Sequence, residues 1–292
     1  MWNRISSAGA ALLFLGPYLL LVGVFQVLPV LDMFSTSVSR YNLLTPDNRQ
    51  FVGLDNYARL LPDPAFTGSL RVSFVLMAAV LVIQLPLGLG LAVVLNRTGA
   101  GIALMRTAFF APVVASSVVV AAIWRLILDP ANGLLNGALE TIHLPPQGLI
   151  TSETQALPLI VVMLVWQQVG LTLVIFLGGL QSIPHVLYEA AALEGAGPWQ
   201  QFWRVTRPLL GRTTVVAAVV TSVTALQAFA PDYILTSGGP NGSTSFIVYE
   251  IYRQAFSLLD PGYASAMSVV LLAVVVAISL AQIRLLRTDW AY

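Results

Sequence analysis

Few residues of this chain are equipped to make or break bonds. Cysteine is absent, and the two histidines, His143 and His185, stand in different loops. Disulfides, thiol nucleophiles and Cys/His metal sites therefore have no raw material. No G-x-x-x-x-G-K-[ST] segment is present to cradle a nucleotide phosphate. What remains is a set of polar and aromatic residues inside or at the rim of long apolar stretches: Trp166, Gln167, Gln168, Thr224, Gln227, Asp232 and Tyr233. Their chemistry is hydrogen bonding and ring stacking, which holds a solute or ties helices together and alters no bond. The competing role for each is an interhelical hydrogen bond, worth about 0.6 kcal/mol on average. Adjacent positions on a helix point about 100° apart, so Gln167 and Gln168 cannot both face one channel squarely. One compact polar segment also stands out, "HVLYEAAALEGAGPWQQFWRVTRPLL", from His185 to Leu210.

These residues sit in a chain built for a bilayer. Of 292 residues, 57% are hydrophobic and 9% charged, with mean hydropathy +0.83, whereas soluble domains carry about a quarter of their residues charged. The net charge of +1 excludes a nucleic-acid partner, which would need clustered excess Lys and Arg. A membrane helix needs about 20 mostly apolar residues. Six stretches meet that length, approximately 8–31, 70–95, 106–128, 156–180, 211–235 and 263–286, giving an all-α membrane protein with one transmembrane domain over 1–292. The first stretch is too long for a cleaved leader and lacks a small-x-small site after it, so it reads as a retained span. With the N-terminus inside, eight arginines (Arg4, Arg97, Arg106, Arg204, Arg207, Arg212, Arg284, Arg287) face the cytoplasm and five (Arg40, Arg49, Arg59, Arg71, Arg253) face out. That bias follows the positive-inside rule and predicts a multi-pass membrane protein with both termini cytoplasmic. Pro17, Pro86, Pro112 and Pro158 read as ordinary packing features of such helices rather than as hinges.

The polar segment then forms a cytoplasmic loop, 181–210. Ser182 is a candidate cap, and Pro184 suits a first helical turn. A helix follows through "HVLYEAAALE", and Gly195 ends it by taking a left-handed conformation. Pro198 starts a second short helix, and Pro208 breaks it before the fifth span. Ala190, Ala191 and Ala192 let a partner come close, while Glu189 can pair with a basic group. From the residues alone, a docking element and a plain connector are equally open.

The spacing of Glu189, Ala190, Ala191, Gly195, Val205 and Pro208 resembles the EAA loop of ABC-importer permeases, with Val205, Arg207 and Glu194 standing where Ile, Leu and Asp are usual. "FVGLDNYARLLPDPAF", "RTAFFAPVVASSVVVAAIWRLILDPANGLLN" and "TSGGPNGSTSFIVYEIYRQAF", in that order along the chain, are similar to the sugar and glycerol-3-phosphate permeases of maltose-transporter type. Arg71-Val72 departs from the Asn-Thr common in that branch. The resemblance implies a type I importer permease fold. It makes Glu189, Ala190, Ala191, Gly195, Ala196 and Pro208 the coupling helix and corner that dock on an ATPase. It further implies a second homologous permease, two ATPase subunits using ATP and Mg, and an extracytoplasmic solute-binding protein, with no cofactor on this chain and no enzyme activity of its own.

Amides, hydroxyls and an aromatic ring suit a sugar-type solute, so Trp166, Gln167, Gln168, Thr224 and Gln227 are the pathway candidates, with Asp232 and Tyr233 at an outer gate. Arg125, near the end of the third span, reads as an interfacial anchor, beside Trp124 in an aromatic belt. The outer loops 129–155 and 238–262 read as docking surfaces for the binding protein. The alternative, an ion-coupled secondary transporter, calls for a titratable group deep in a span; Asp32 and Asp232 lie near the rims.

Overall fold

The computed structural model describes the backbone over residues 7–285. It is helical nearly throughout, as expected, apart from one short antiparallel hairpin of Ser39–Asn42 against Thr45–Phe51. Arg4 and Arg287, which enter the orientation argument, and residue 286 of the sixth expected span lie outside the described residues. Among the described residues, four helices are long and apolar enough to cross a membrane: Leu13–Ser37, Pro64–Leu95, Ala156–Gln181 and Pro261–Leu285. Two bent pairs raise the number of crossings to as many as six: Gly101–Val114 with Ser117–Ile127 at 96°, and Pro198–Leu209 with Gly211–Leu226 at 67°.

Three local expectations need correction. The stretch 106–128 is not one rod but two helices meeting at Ala115 and Ser116, which are extended (ψ 142° and 127°). Pro112 removes a backbone donor one turn before the break, so it marks the approach to the bend. The fifth span stops at Leu226 rather than at 235, and the chain re-enters a single π-helical turn at Asp232–Thr236. In the loop, Ser182 is no cap, since its hydroxyl donates back to the Gly179 carbonyl at 2.7 Å. Pro208 is carried inside the second short helix, and the break falls at Leu210.

Read as a single domain, the chain divides by its own contacts into two compact units. The smaller comprises residues up to Pro64 with Ile251–Leu272. Here the buried Asn56 amide donates to the Ser37 and Ser39 carbonyls at 2.9 and 3.0 Å. Arg59 pairs with Asp260 at 3.2 Å and lies over the Tyr263 ring, whose hydroxyl donates to Asp63 at 2.6 Å.

The larger unit, Ala65–Glu250 with the chain from Ala273 on, carries every candidate site residue. Its axis is the fourth span, Ala156–Gln181, the most buried of the long helices. That helix contributes to two apolar cores, one around Leu76, Val120, Ile160, Met163 and Phe246, the other around Ala92, Leu173, Phe176, Leu180 and Leu210. Gly170 lets it approach Phe109 and Phe110 of the third span backbone to backbone. A Cβ there would lie 2.8 Å from the Phe110 Cα, the close approach that small residues allow between membrane helices.

Candidate functional site: a bare loop helix and a broken span

The loop helix His185–Leu193 is built from good helix formers, yet none of its residues is buried. Glu189 and Ala190 are exposed and Ala191 is half-buried. Its end is a Schellman motif: Gly195 takes φ +81°, the Gly195 N–H donates to the Ala192 carbonyl, and the Ala196 N–H donates to the Ala191 carbonyl, both at 2.9 Å. Ala191, Gly195 and Ala196 are thus tied to one another through the backbone, which gives the spacing a local physical cause. The second short helix carries a ring cluster of Trp199, Phe202 and Trp203 with centroids 5.6–6.0 Å apart, and Arg207 stacks over Trp203 at 4.8 Å. Tyr188 and Thr206 share a hydroxyl hydrogen bond of 3.0 Å that latches the two halves of the loop. Pro208 lines a shallow concavity of about 250 Å³ with Leu187, Val205 and Leu209.

The pathway candidates separate into different environments. Gln167 is 1% exposed, and its amide donates to the Ala115 carbonyl and the Ser117 hydroxyl at 3.4 and 3.3 Å, across the break of the third span. Gln168 and Thr224 meet at a small cavity of about 20 Å³, walled also by Gln84, Thr172 and Thr221. Gln84, 3% exposed, donates to Thr172 at 2.7 Å and to Thr221 at 3.4 Å. Its buried side-chain oxygen has no protein partner among the described residues, and the cavity is about the size of one water. Sequence reading passed over Gln84. The signal was available, because a lone amide in an apolar span is costly unless it is paired.

Trp166 is 47% exposed, on the bare stripe of the fourth span with Val162 and Val174, and it meets Trp124 at 5.9 Å and 55°. The neighbouring Arg125 donates to the Ile234 carbonyl at 3.0 Å, which ties the third span to the chain beyond the fifth. Gln227 is exposed at the end of the fifth-span helix. Tyr233 stacks on Phe229 at 5.1 Å.

Asp232 is fully buried, and both its oxygens face its own chain: they accept the Gly238 N–H at 2.6 Å and the Phe246 N–H at 2.7 Å. The loop between them carries a cis Gly239–Pro240 bond and left-handed Ser237, Gly238, Asn241 and Gly242. Asn241 donates to Glu153, joining this loop to the segment 129–155. There Asn136 binds Pro130 and Gln147, and Gln155 binds Leu149 and Gln147, at 2.8–2.9 Å. No cluster of three or more acidic or His side chains that would hold a metal occurs among the described residues.

Residues 84–288 match the family described as binding-protein-dependent transport system inner membrane component. A probable ABC transporter permease of Pyrococcus horikoshii is 35% identical over 92% of both chains. The trehalose/maltose transport system permease protein MalF of Thermococcus litoralis is 31% identical over 93% of this chain and 91% of its own. A chain of a bacterial alginate ABC transporter, solved in complex with an alginate pentasaccharide-bound periplasmic protein, superposes with TM-score 0.83 at 22% identity, covering 100% of this chain and 99% of that one.

Proposed function

This chain belongs to the inner-membrane components of binding-protein-dependent transport systems, and from that premise we propose how it works as the transmembrane subunit of an ABC importer. The observation that carries the proposal is the bare helix His185–Leu193 with its Gly195 corner. A short, exposed, Schellman-capped helix latched to the next one by Tyr188 and Thr206 is a rigid handle for a partner. We assign Glu189, Ala190, Ala191, Gly195, Ala196 and Pro208 to contact with the cytoplasmic ATPase, so that closure driven by ATP and Mg in two such subunits moves the spans. A second homologous permease completes the pathway, and the relatives named for disaccharide transport support a sugar-type solute. Both termini lie in the cytoplasm of a prokaryotic cell. Family membership leaves the ion-coupled alternative without support.

The broken third span supports a pathway beside it. Non-helical backbone at membrane depth is tolerated only where protein buries it or water lines it, and discontinuous helices build midplane solute sites in transporters. Ala115, Ser116 and Ser117 are exposed at the break. The Trp124–Trp166 pair belongs to the same two spans, the third and fourth. This surface offers hydroxyls, carbonyls and ring faces, the groups that hold a sugar ring through hydrogen bonds and stacking. Gln168 and Thr224 would extend it, while Gln167 holds the break itself. The outer loops braced by Asp232 and Asn241 would receive the binding protein.

The test is ATP hydrolysis by the complex purified through this chain, with its binding protein, across neutral sugars and glycerophosphates. Stimulation by one class confirms the importer and names the solute. If no ATPase accompanies the chain under conditions that preserve such complexes, the coupling assignment fails.

A further inference from the structure

Beside the coupling loop lies a cavity of about 640 Å³ that the transport cycle just described does not use. Its walls come from the end of the second span and its loop (Asn96, Arg97), the start of the third (Arg106), and both halves of the coupling loop (His185, Tyr188, Gln201). No acidic residue lines it, although the chain holds 13 acids to 14 arginines. Arg106 is fixed in place. Its Nε and one terminal nitrogen donate to the Leu95 carbonyl at 3.2 and 2.7 Å, and that nitrogen also reaches the Arg97 carbonyl at 3.0 Å. These bonds cap the second span and leave the other terminal nitrogen for a ligand. Neither Arg97 nor Arg106 forms an ion pair among the described residues. The cavity is therefore a one-signed basic pocket, lined with amide, hydroxyl and imidazole donors, at the ends of membrane helices.

We propose that this pocket binds a phosphate-bearing anion through Arg97 and Arg106. Basic pockets between membrane helices on the cytoplasmic side are suited to anionic lipid headgroups. The neighbouring Val94, Leu104 and Met105 are exposed apolar residues against which acyl chains can lie, so the phosphate of an anionic phospholipid is the favoured source. A soluble phosphate offers the same group to the arginines and no chains to the apolar surface. Because Tyr188 and Gln201 belong to the coupling loop, an occupant ties that loop to the second and third spans. It thereby stiffens the element that passes motion from the ATPase.

The experiment uses the intact complex of permease and ATPase subunits in neutral detergent. Lipid retention is read by native mass spectrometry and stability by thermal unfolding, with added phosphatidylglycerol, phosphatidylcholine or inorganic phosphate. Wild type is expected to retain and be stabilised by phosphatidylglycerol over phosphatidylcholine, and Arg97→Gln to bind it about fivefold more weakly, with an effect that shrinks as salt rises. Arg97 is exposed in a loop, so its replacement spares the fold, and Arg97→Lys should keep most of the binding. If inorganic phosphate alone reproduces the stabilisation in wild type but not in Arg97→Gln, the site stands and its ligand is a soluble phosphate. Equal retention of the two lipids, or equal behaviour of wild type and Arg97→Gln with every probe, overturns the proposal. None of these readouts depends on transport, so the outcome is separate from that of the importer test.

Discussion

Asp232 and Gly195 show how single residues set the shape of the two surfaces where partners would meet this chain. A carboxyl group whose two oxygens accept backbone N–H groups six and fourteen residues further on pins the loop at both ends. Asp232→Asn turns one acceptor into a donor and leaves a buried N–H facing it, at a cost of about 1–3 kcal/mol. The expected outcome is a lower thermal midpoint for the complex and a loss of binding-protein-stimulated hydrolysis, with basal hydrolysis retained. Unchanged stimulation would mean that the loop holds its shape without Asp232. Gly195 has no atom within 4 Å of where a Cβ would sit, so the cost of replacing it is conformational, about 1–2 kcal/mol for an ordinary residue in the left-handed region. Gly195→Val should weaken coupling of hydrolysis to solute strongly, and Gly195→Asn only mildly, because Asn tolerates that region. Equal loss in both variants would point to a steric contact with a partner instead.

Among the elements, the loop helix and its corner were legible in the sequence, because proline, alanine and glycine act there within a few residues of one another. The break of the third span was not. Pro112 announces a weak point, but the bend is held by Gln167, 50 and 52 residues away, and by the close approach of Gly170 to Phe109 and Phe110. Sequence shows a polar residue in an apolar helix without showing what it faces, so Gln167 reads as a solute contact when its amide serves the break. Asp232 likewise reads as a rim residue when it is the anchor of a loop. The two supports of the break should differ in weight. Gly170→Ala forces backbone apart, for about 1–3 kcal/mol, whereas Gln167→Leu removes interhelical hydrogen bonds averaging about 0.6 kcal/mol each. Thermal unfolding of the two variants should rank Gly170→Ala as the more damaging. The reverse order would make the Gln167 amide, not helix contact, the main support of the bend.

At the scale of the whole molecule, the distribution of charge decides which surface meets which partner. In the expected topology eight arginines, Arg97, Arg106, Arg204, Arg207 and Arg212 among them, fall on the side of the loop helix and five on the other, where the acids Asp129, Glu140, Glu153 and Glu250 also fall. The proposed orientation, with the loop in the cytoplasm, rests on this bias under the positive-inside rule, and every functional assignment above depends on it: reversed, the bare helix could not reach an ATPase. The chain has no cysteine, so a single introduced thiol reports its own side without background. Leu193, 91% exposed on the loop helix, and Leu134, 73% exposed in the segment 129–155, are open positions for such probes. In intact cells a membrane-impermeant maleimide should label Leu134→Cys and spare Leu193→Cys until the membrane is opened. Labelling of Leu193→Cys from outside would invert the topology and remove the coupling assignment together with the cytoplasmic phosphate pocket, whereas the fold and the geometry of the broken span would stand unchanged.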